Sequence, residues 1–408
     1  MNAEITPARL PAGLPAGALI DLDAVRRNVE VLRACAGSAM VMAVVKADAY
    51  GHGLLPCARA ALAGGAGWLG VAQLAEGLAL RSAGIEAPIL SWLTVPGDAF
   101  TAAVTAGIDL GVSAPWALTE VAAAARDTGV TARIHLKIDT GLNRNGADPQ
   151  DWPDLVEAAL KLQAEGSVNV VGVFSHYVWA DAPEHPTVLA QTAAFTEAIE
   201  LAQRRGARFE VRHLANSAAT LTNPHSHFDL VRPGLAVYGL SPVPEVAGAR
   251  ELGLTPAMTL LGRVANVKSV AAGQGVSYGH AYATSRPTKL AVVPLGYGDG
   301  IPRHATNAGP LRLAGRRLRV SGRVCMDQFV VDLEDPDLPV RSGDVAVLFG
   351  AEPGDPTAQD WAEAADTISY EIVTRIGSRV PRLYVGRAGR GPGSGPPSIP
   401  EPGDGQAV

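Results

Sequence analysis

At 408 residues the chain exceeds one ordinary domain, which predicts two or three domains and enough chain for a sizeable core. A composition of 47% hydrophobic and 18% charged residues excludes disorder through most of its length. A net charge of −6 with scattered basic residues excludes a nucleic-acid footprint. No apolar run reaches the roughly 18 residues of a membrane span, so the expected setting is cytoplasmic and away from membranes.

Residues 1–17 are rich in Pro and Gly and lack the basic start and apolar run of a secretory signal, so a flexible N-terminus is expected there. A strand-like run, Ala18–Leu22, follows. From about residue 39, short β-branched runs alternate with longer Ala- and Leu-rich stretches of helical period, the pattern of βα units. The runs are Val41–Val45, Trp68–Val71, Ile89–Trp92, Leu110–Val112, Arg133–Ile138, Val170–Phe174, Phe209–Leu214 and Asp229–Val231. Eight units in about 200 residues favour a closed (β/α)8 TIM-like barrel over an open sheet, with residues 18–240 as its domain.

Gly239–Pro256 carries Ser-Pro, Val-Pro and Thr-Pro steps with little periodicity and reads as a connection between domains. Beyond it a mostly β domain is expected over 241–385. Its strand-like segments are Thr259–Val270, Lys289–Pro294, Leu311–Val320, Val324–Leu333 and Asp344–Leu348. One late stretch, Trp361–Arg375, has helical spacing with Asp360 as its N-cap. Residues 386–408 are dominated by Gly, Pro and Ser and cannot bury enough surface to offset their ordering entropy, so they read as a disordered tail. Cys35, Cys57 and Cys325 are odd in number and unpaired in spacing; reduced thiols are expected, with neither a disulfide framework nor a metal site.

In such a barrel the chemistry sits where the strands end, and those positions are polar. The first run ends in Lys46, the fifth carries Lys137 and leads to Arg144, and the sixth is followed by His176. The seventh runs into His213, Asn216 and Ser217, and the eighth into Arg232 and Gly234. A lysine ending a buried run is either a surface cation whose stem snorkels or a desolvated amine with a lowered pKa, able to attack a carbonyl cofactor. The hydroxyl of Ser217 and the backbone at Gly234 could hold a phosphate; alternatively Arg-Pro-Gly is a plain turn and His213 a hydrogen-bonded barrel histidine.

These residues fall in seven short motifs: Val45-Lys46-Ala-Asp-Ala-Tyr50-Gly-His-Gly, His135-Leu-Lys137-Ile-Asp-Thr-Gly, His213-Leu-Ala-Asn-Ser217-Ala-Ala, Val231-Arg232-Pro-Gly-Leu-Ala-Val-Tyr-Gly, Val276-Ser-Tyr278-Gly, Gly296-Tyr297-Gly-Asp-Gly and Cys325-Met326-Asp327-Gln. Together, and in this order, they resemble the alanine racemase family from Ala18 to about Tyr384. The resemblance implies a pyridoxal-phosphate-dependent interconversion of L- and D-alanine, supplying D-alanine for peptidoglycan. It implies that Lys46 carries the cofactor as a Schiff base and serves as base for the D-enantiomer. Tyr278 is implied as acid/base for the L-enantiomer, reaching the site from the other subunit of a homodimer with shared sites.

By the same resemblance Arg232 faces the pyridine nitrogen and His213 orients it. Tyr50, Ser217 and Tyr370 hold the phosphate with the backbone of Gly234 and Leu235, and His176 and Asn216 complete the cofactor set. Arg144 and the Met326 backbone meet the substrate carboxylate, Tyr297 and Asp327 line the entrance, and Lys137, carbamylated in several members, positions Arg144. A phenol titrates near pH 10, so Tyr278 needs neighbours such as His176 and Arg232 to act near neutrality. Taken alone, a strand aromatic in a β core would explain Tyr278 equally well. Three alternatives compete: a broad-specificity or serine racemase on the same scaffold, a related decarboxylase with an acidic partner for the ring nitrogen, and a non-catalytic cofactor carrier lacking the β domain.

Overall fold

The computed structural model describes residues 10–388. The start of the expected flexible N-terminus and nearly all of the expected tail lie outside them. Two compact units emerge: one spans Ala24–Pro256, and the other joins the residues up to Asp23 with those from Ala257 onward.

The first strand, β1 (Ala16–Asp21), corrects the expected barrel start. Its apolar run is buried along nearly its whole length, as a strand flanked on both sides requires. It pairs antiparallel with Met258–Arg263 and parallel with Arg382–Val385, so Ala18–Leu22 belongs to the sheet built by the C-terminal residues.

In the Ala24–Pro256 unit, all eight anticipated runs form strands: β2 (Met40–Val44), β3 (Trp68–Val71), β4 (Ile89–Ser91), β5 (Asp109–Val112), β6 (Ala132–Lys137), β7 (Val168–Phe174), β8 (Val211–His213) and β9 (Leu230–Val231). They pair in parallel in the order β9-β2-β3-β4-β5-β6-β7-β8. The end strands meet too: Asp229 N–H donates to the Arg212 carbonyl at 3.0 Å and Arg232 N–H to that of Ala215 at 2.9 Å, closing the cylinder. Met42, Trp68, Leu90, Val171, Val211 and Leu230, from six of the strands, pack in one cluster, as the filled interior of a small barrel demands. The proline-bearing segment after Gly239 packs onto this unit: Asn28 accepts the Thr255 N–H at 2.9 Å and donates to the carbonyls of Val237 and Thr255.

The second unit is mostly β. A six-stranded sheet runs β16-β15-β18-β10-β1-β19, where β10 is Met258–Arg263, β15 Pro310–Leu313, β16 Arg316–Arg319, β18 Val345–Phe349 and β19 Arg382–Val385. A three-stranded sheet joins β11 (Asn266–Val270), β14 (Thr288–Val293) and β17 (Phe329–Asp332), and β12 (Gly275–Val276) pairs with β13 (Tyr282–Ala283). Two expected strands are each divided. Thr259–Val270 becomes β10 and β11 in different sheets, and Leu311–Val320 becomes a hairpin around Ala314 and Gly315, both at positive φ.

The late helical stretch is also two helices, Ala358–Ala364 and Ser369–Thr374, interrupted near Asp366 at φ +52°. Its N-cap is Thr357, not Asp360. Asp360 sits three residues on, returning a 2.6 Å bond to the Thr357 N–H in a reciprocal capping box.

Candidate active site

Lys46 lies two residues beyond β2, held there by Val44 and Val45, whose N–H groups donate to the carbonyls of Pro233 and Gly70 at 2.9 and 2.8 Å. The next four residues, Ala47–Tyr50, all adopt left-handed helical angles, with φ between 52° and 55°. Each non-glycine residue in that region costs roughly 1–2 kcal/mol, so the turn needs outside support. Glu76 accepts the Ala47 N–H at 2.6 Å, Asp48 accepts the Leu54 N–H at 2.7 Å, and the His52 ring lies 2.9 Å from the Tyr50 carbonyl. The strained turn thus fixes the direction in which Lys46 and Tyr50 leave the strand end.

Burial lowers the Lys46 pKa, Arg144 adds to the effect, and Glu76 opposes it. His176 is driven well below its usual range by burial and then by Arg232, Arg144, Lys137 and Lys46, so its ring is neutral near pH 7. Burial pulls Arg232 down to about 9, which leaves the guanidinium charged at neutrality. It donates to the Ser175 carbonyl at 2.7 Å and to His213 Nδ1 at 3.0 Å. Phe174 stacks on His213 with centroids 4.9 Å apart and also underlies the Arg232 and Lys137 cations.

Ser217 opens a short helix, Ser217–Thr222, whose cap is the Asn216 side chain, accepting the Ala219 N–H at 3.1 Å. The Ser217 hydroxyl accepts from the Gly234 N–H at 2.7 Å and the Ala236 N–H at 3.3 Å. A Cβ at Gly234 would collide with the Tyr50 hydroxyl, so the glycine is what lets the phenol lie over this backbone. Leu235 follows in the buried turn Leu235–Tyr238. Strand ends that gather Lys46, Lys137, Arg144 and Arg232 around a neutral histidine, with a serine, a tyrosine and a glycine backbone beside them, suit a phosphorylated aldehyde. The desolvated amine meets the carbonyl chemistry, and the cationic surroundings meet the phosphate charge.

Arg144 lies in a loop built on one carboxylate. Asp139 Oδ1 accepts the N–H groups of Gly141, Leu142 and Asn143 at 2.8, 2.9 and 3.1 Å, and its Oδ2 accepts that of Arg144 at 3.2 Å. Sequence reading assigned no role to Asp139 or Glu76. Both had a signal: Asp139-Thr-Gly after a strand is a side-chain-stabilised turn, and Glu76 opens the Leu74–Ser82 helix with its carboxylate turned back to the chain.

The other unit gathers its own expected residues. Tyr297 N–H donates to the Cys325 carbonyl at 3.0 Å and Gly298 N–H to that of Met326 at 2.8 Å, so the Tyr297 and Met326 segments are locked together. Ser277, at φ +59°, bonds the Arg323 carbonyl at 2.7 Å and ties in Tyr278. Arg379 holds Asp327 at 2.8 Å and Asp299 at 3.1 Å. Tyr278 is 70% exposed and Met326 53%, so the phenol is no packed strand aromatic. Tyr370 lies in the Ser369–Thr374 helix of the same unit.

The family profile described as "Alanine racemase, N-terminal domain" matches residues 20–242, and that described as "Alanine racemase, C-terminal domain" matches residues 257–384. An alanine racemase of Frankia casuarinae is 59% identical over 381 residues, covering 92% of this chain and 99% of its own. One from Salinispora tropica is 60% identical, covering 90% and 97%. The crystal structure of alanine racemase from D-cycloserine producing Streptomyces lavendulae superposes with a TM-score of 0.91 at 56% identity, covering 93% of this chain and 98% of the other.

Proposed function

The chain belongs to the alanine racemase family and interconverts L- and D-alanine, and from that premise we propose that Lys46 and Tyr278 are its two opposed acid/bases. Removing the Cα proton from one face and returning one to the other needs two such groups and an electron sink. Pyridoxal phosphate, when bound, supplies that sink. The observation that carries the assignment is the desolvated Lys46 amine at the end of a barrel strand, among cations suited to a phosphate. Its lowered pKa favours the free base, which would hold the cofactor and, once released from it, take the proton of D-alanine. The Tyr278 hydroxyl acts on the opposite face.

Tyr278 is exposed and belongs to the mostly β unit, whereas Lys46 belongs to the barrel unit Ala24–Pro256. Sharing the site between two copies gives this phenol a partner's pocket to enter, and a homodimer follows. Tyr50, Ser217 and Tyr370, with the backbone of Gly234 and Leu235, take the phosphate. Asn216 contributes by capping the helix that carries Ser217, and His176 lines the ring pocket. Arg144 and the Met326 N–H take the substrate carboxylate, while Tyr297 and Asp327 line the entrance. The reaction belongs in the cytoplasm, where D-alanine enters cell-wall synthesis.

Arg232 carries donors and no acceptor, so a ring nitrogen facing it would stay unprotonated and the sink weak. A weak sink would favour return of the proton to Cα over its delivery elsewhere. Arg232→Glu is expected to raise the half-transamination side reaction relative to racemisation. An unchanged side-product ratio, followed by keto-acid assay, counts against this role.

Lys137 is buried, and burial with Arg232 and Arg144 lowers it to about 8. Its unfolded counterpart keeps a proton to about pH 10.4. Below pH 8 the native state therefore carries the full cost of a buried cation, and stability rises with pH between 8 and 10.4, where the unfolded chain binds more protons. In carbon-dioxide-free buffer Lys137→Met is expected to be more stable at pH 7 by about 3 kcal/mol, with the gain fading towards pH 10 in denaturant titrations. The same lowered pKa makes the amine a candidate for carbamylation, read by intact mass with and without bicarbonate.

The function is tested by chiral chromatography after incubation with L-alanine and with L-serine. Faster turnover of alanine is expected; equal turnover would favour a broad-specificity racemase.

A further inference from the structure

Arg232 does not end the buried polar chain it belongs to. Beyond it, His213 Nε2 lies 2.9 Å from His135 Nδ1, and His135 Nε2 lies 3.1 Å from Asp109 Oδ2. The other Asp109 oxygen accepts from Arg133 Nε at 2.9 Å. Asp109, His135 and His213 are all buried, and Arg133 is partly exposed. The line runs from the barrel's flank to the guanidinium at its mouth, crossing β5, β6 and β8.

Every proton in the line has one allowed place. Arg232 has only donors, so His213 Nδ1 must accept and its proton must sit on Nε2. That N–H faces His135 Nδ1, which must then accept, placing the His135 proton on Nε2. This proton points at Asp109, which accepts from both sides and so stands as a carboxylate. A doubly protonated His135 would turn its Nδ1–H on His213, force the His213 proton onto Nδ1, and set two donors face to face at Arg232. Such a chain is polarised along its length by the anion at its far end.

The fold also makes room for the middle link. The β6–β7 ladder shifts register at His135, where Ile134 pairs with Val170 but His135 pairs with Gly172. A Cβ at Gly172 would collide with His135 Nδ1. Trp68 meets the ring edge-on at 5.5 Å. The glycine leaves room for this imidazole, and the register shift falls beside it.

We propose that Asp109 is a positioning residue: through the single tautomers it imposes on His135 and His213, it holds Arg232 as an oriented donor. This deepens, and rests on, the role given to Arg232 above. Asp109→Asn is nearly isosteric yet cannot accept from both Arg133 and His135. With its amide turned to present N–H to His135, the whole line reverses and a proton lands on His213 Nδ1, against Arg232.

The test uses full-length protein labelled with 15N at its nine histidines, read by long-range proton–nitrogen correlation, together with kinetics of the cofactor-loaded enzyme. Wild type is expected to show Nε2–H tautomers at His135 and His213. D109N is expected to convert or mix both, lower kcat about tenfold with KM within about twofold, and raise the half-transamination ratio. Arg133→Gln, which removes the ion pair but leaves the carboxylate, is expected to keep wild-type tautomers and ratio. If D109N does not fold, Gly172→Ala reads the same line from its middle by displacing His135. Wild-type tautomers in D109N or G172A would overturn the proposal, as would an R133Q variant that behaves like D109N. Tautomers that move while the side-product ratio stays fixed would support the relay and overturn the role assigned to Arg232.

Discussion

Replacing Lys46 with alanine lowers racemisation at least about a thousandfold in both directions, because one side chain is asked to supply both covalent attachment and one of the two proton transfers. The fold should survive. The neighbouring strand end is fixed by backbone bonds of Val44 and Val45, and the turn beyond by Glu76 and Asp48, none of which needs the Lys46 amine. Chiral chromatography from L- and from D-alanine measures the loss. Borohydride reduction of the loaded wild type followed by peptide mass analysis should place the cofactor mass on Lys46 and on no residue of the variant. A variant that keeps full interconversion, or carries the adduct elsewhere, removes the basis for every other site assignment.

Tyr278→Phe is expected to cost racemisation about a thousandfold in both directions, since general acid/base groups are worth roughly 10²–10⁴, while Cα-hydrogen exchange becomes one-sided. With Lys46 intact, D-alanine should still exchange its Cα hydrogen for solvent deuterium, while exchange from L-alanine collapses. Equal loss from both enantiomers would make Tyr278 a packing residue. The substitution deletes one oxygen from a side chain that is 70% exposed, so stability should change little.

The proposed sharing of sites between two copies makes a sharper demand. Lys46→Ala and Tyr278→Phe chains, each inactive alone, should regain roughly a quarter of wild-type activity when co-assembled, because random pairing gives half mixed dimers with one complete site each. No recovery would show that each chain builds its site from its own lysine and tyrosine.

Much of this was legible in sequence because it is local. Eight buried runs spaced by helical stretches count out a barrel, and the residue after each run marks its mouth; Lys46, His176, Ser217 and Arg232 were found in that way. Tyr278, Met326 and Tyr297 came only with the family motifs, since a single tyrosine in a β domain carries no periodic signal of its own. The helix expected over Trp361–Arg375 divides because Asp366 takes a positive φ that hydrophobic spacing does not register.

What the amino-acid string determined alone was thus the number of barrel strands, the polar rim at their ends and the change to β structure after Pro256. Only the folded chain decided that β1 crosses to the C-terminal sheet, because its partners stand more than two hundred residues away and local pattern cannot choose among them. Packing likewise decided the left-handed turn after Lys46, the carboxylate under the Arg144 loop and the line from Asp109 to Arg232. The first and last depend on side chains meeting a backbone or a ring at about 3 Å across separate strands or loops, the second on a carboxylate curling under its own loop, and hydrogen-bond direction exists only once those atoms face one another.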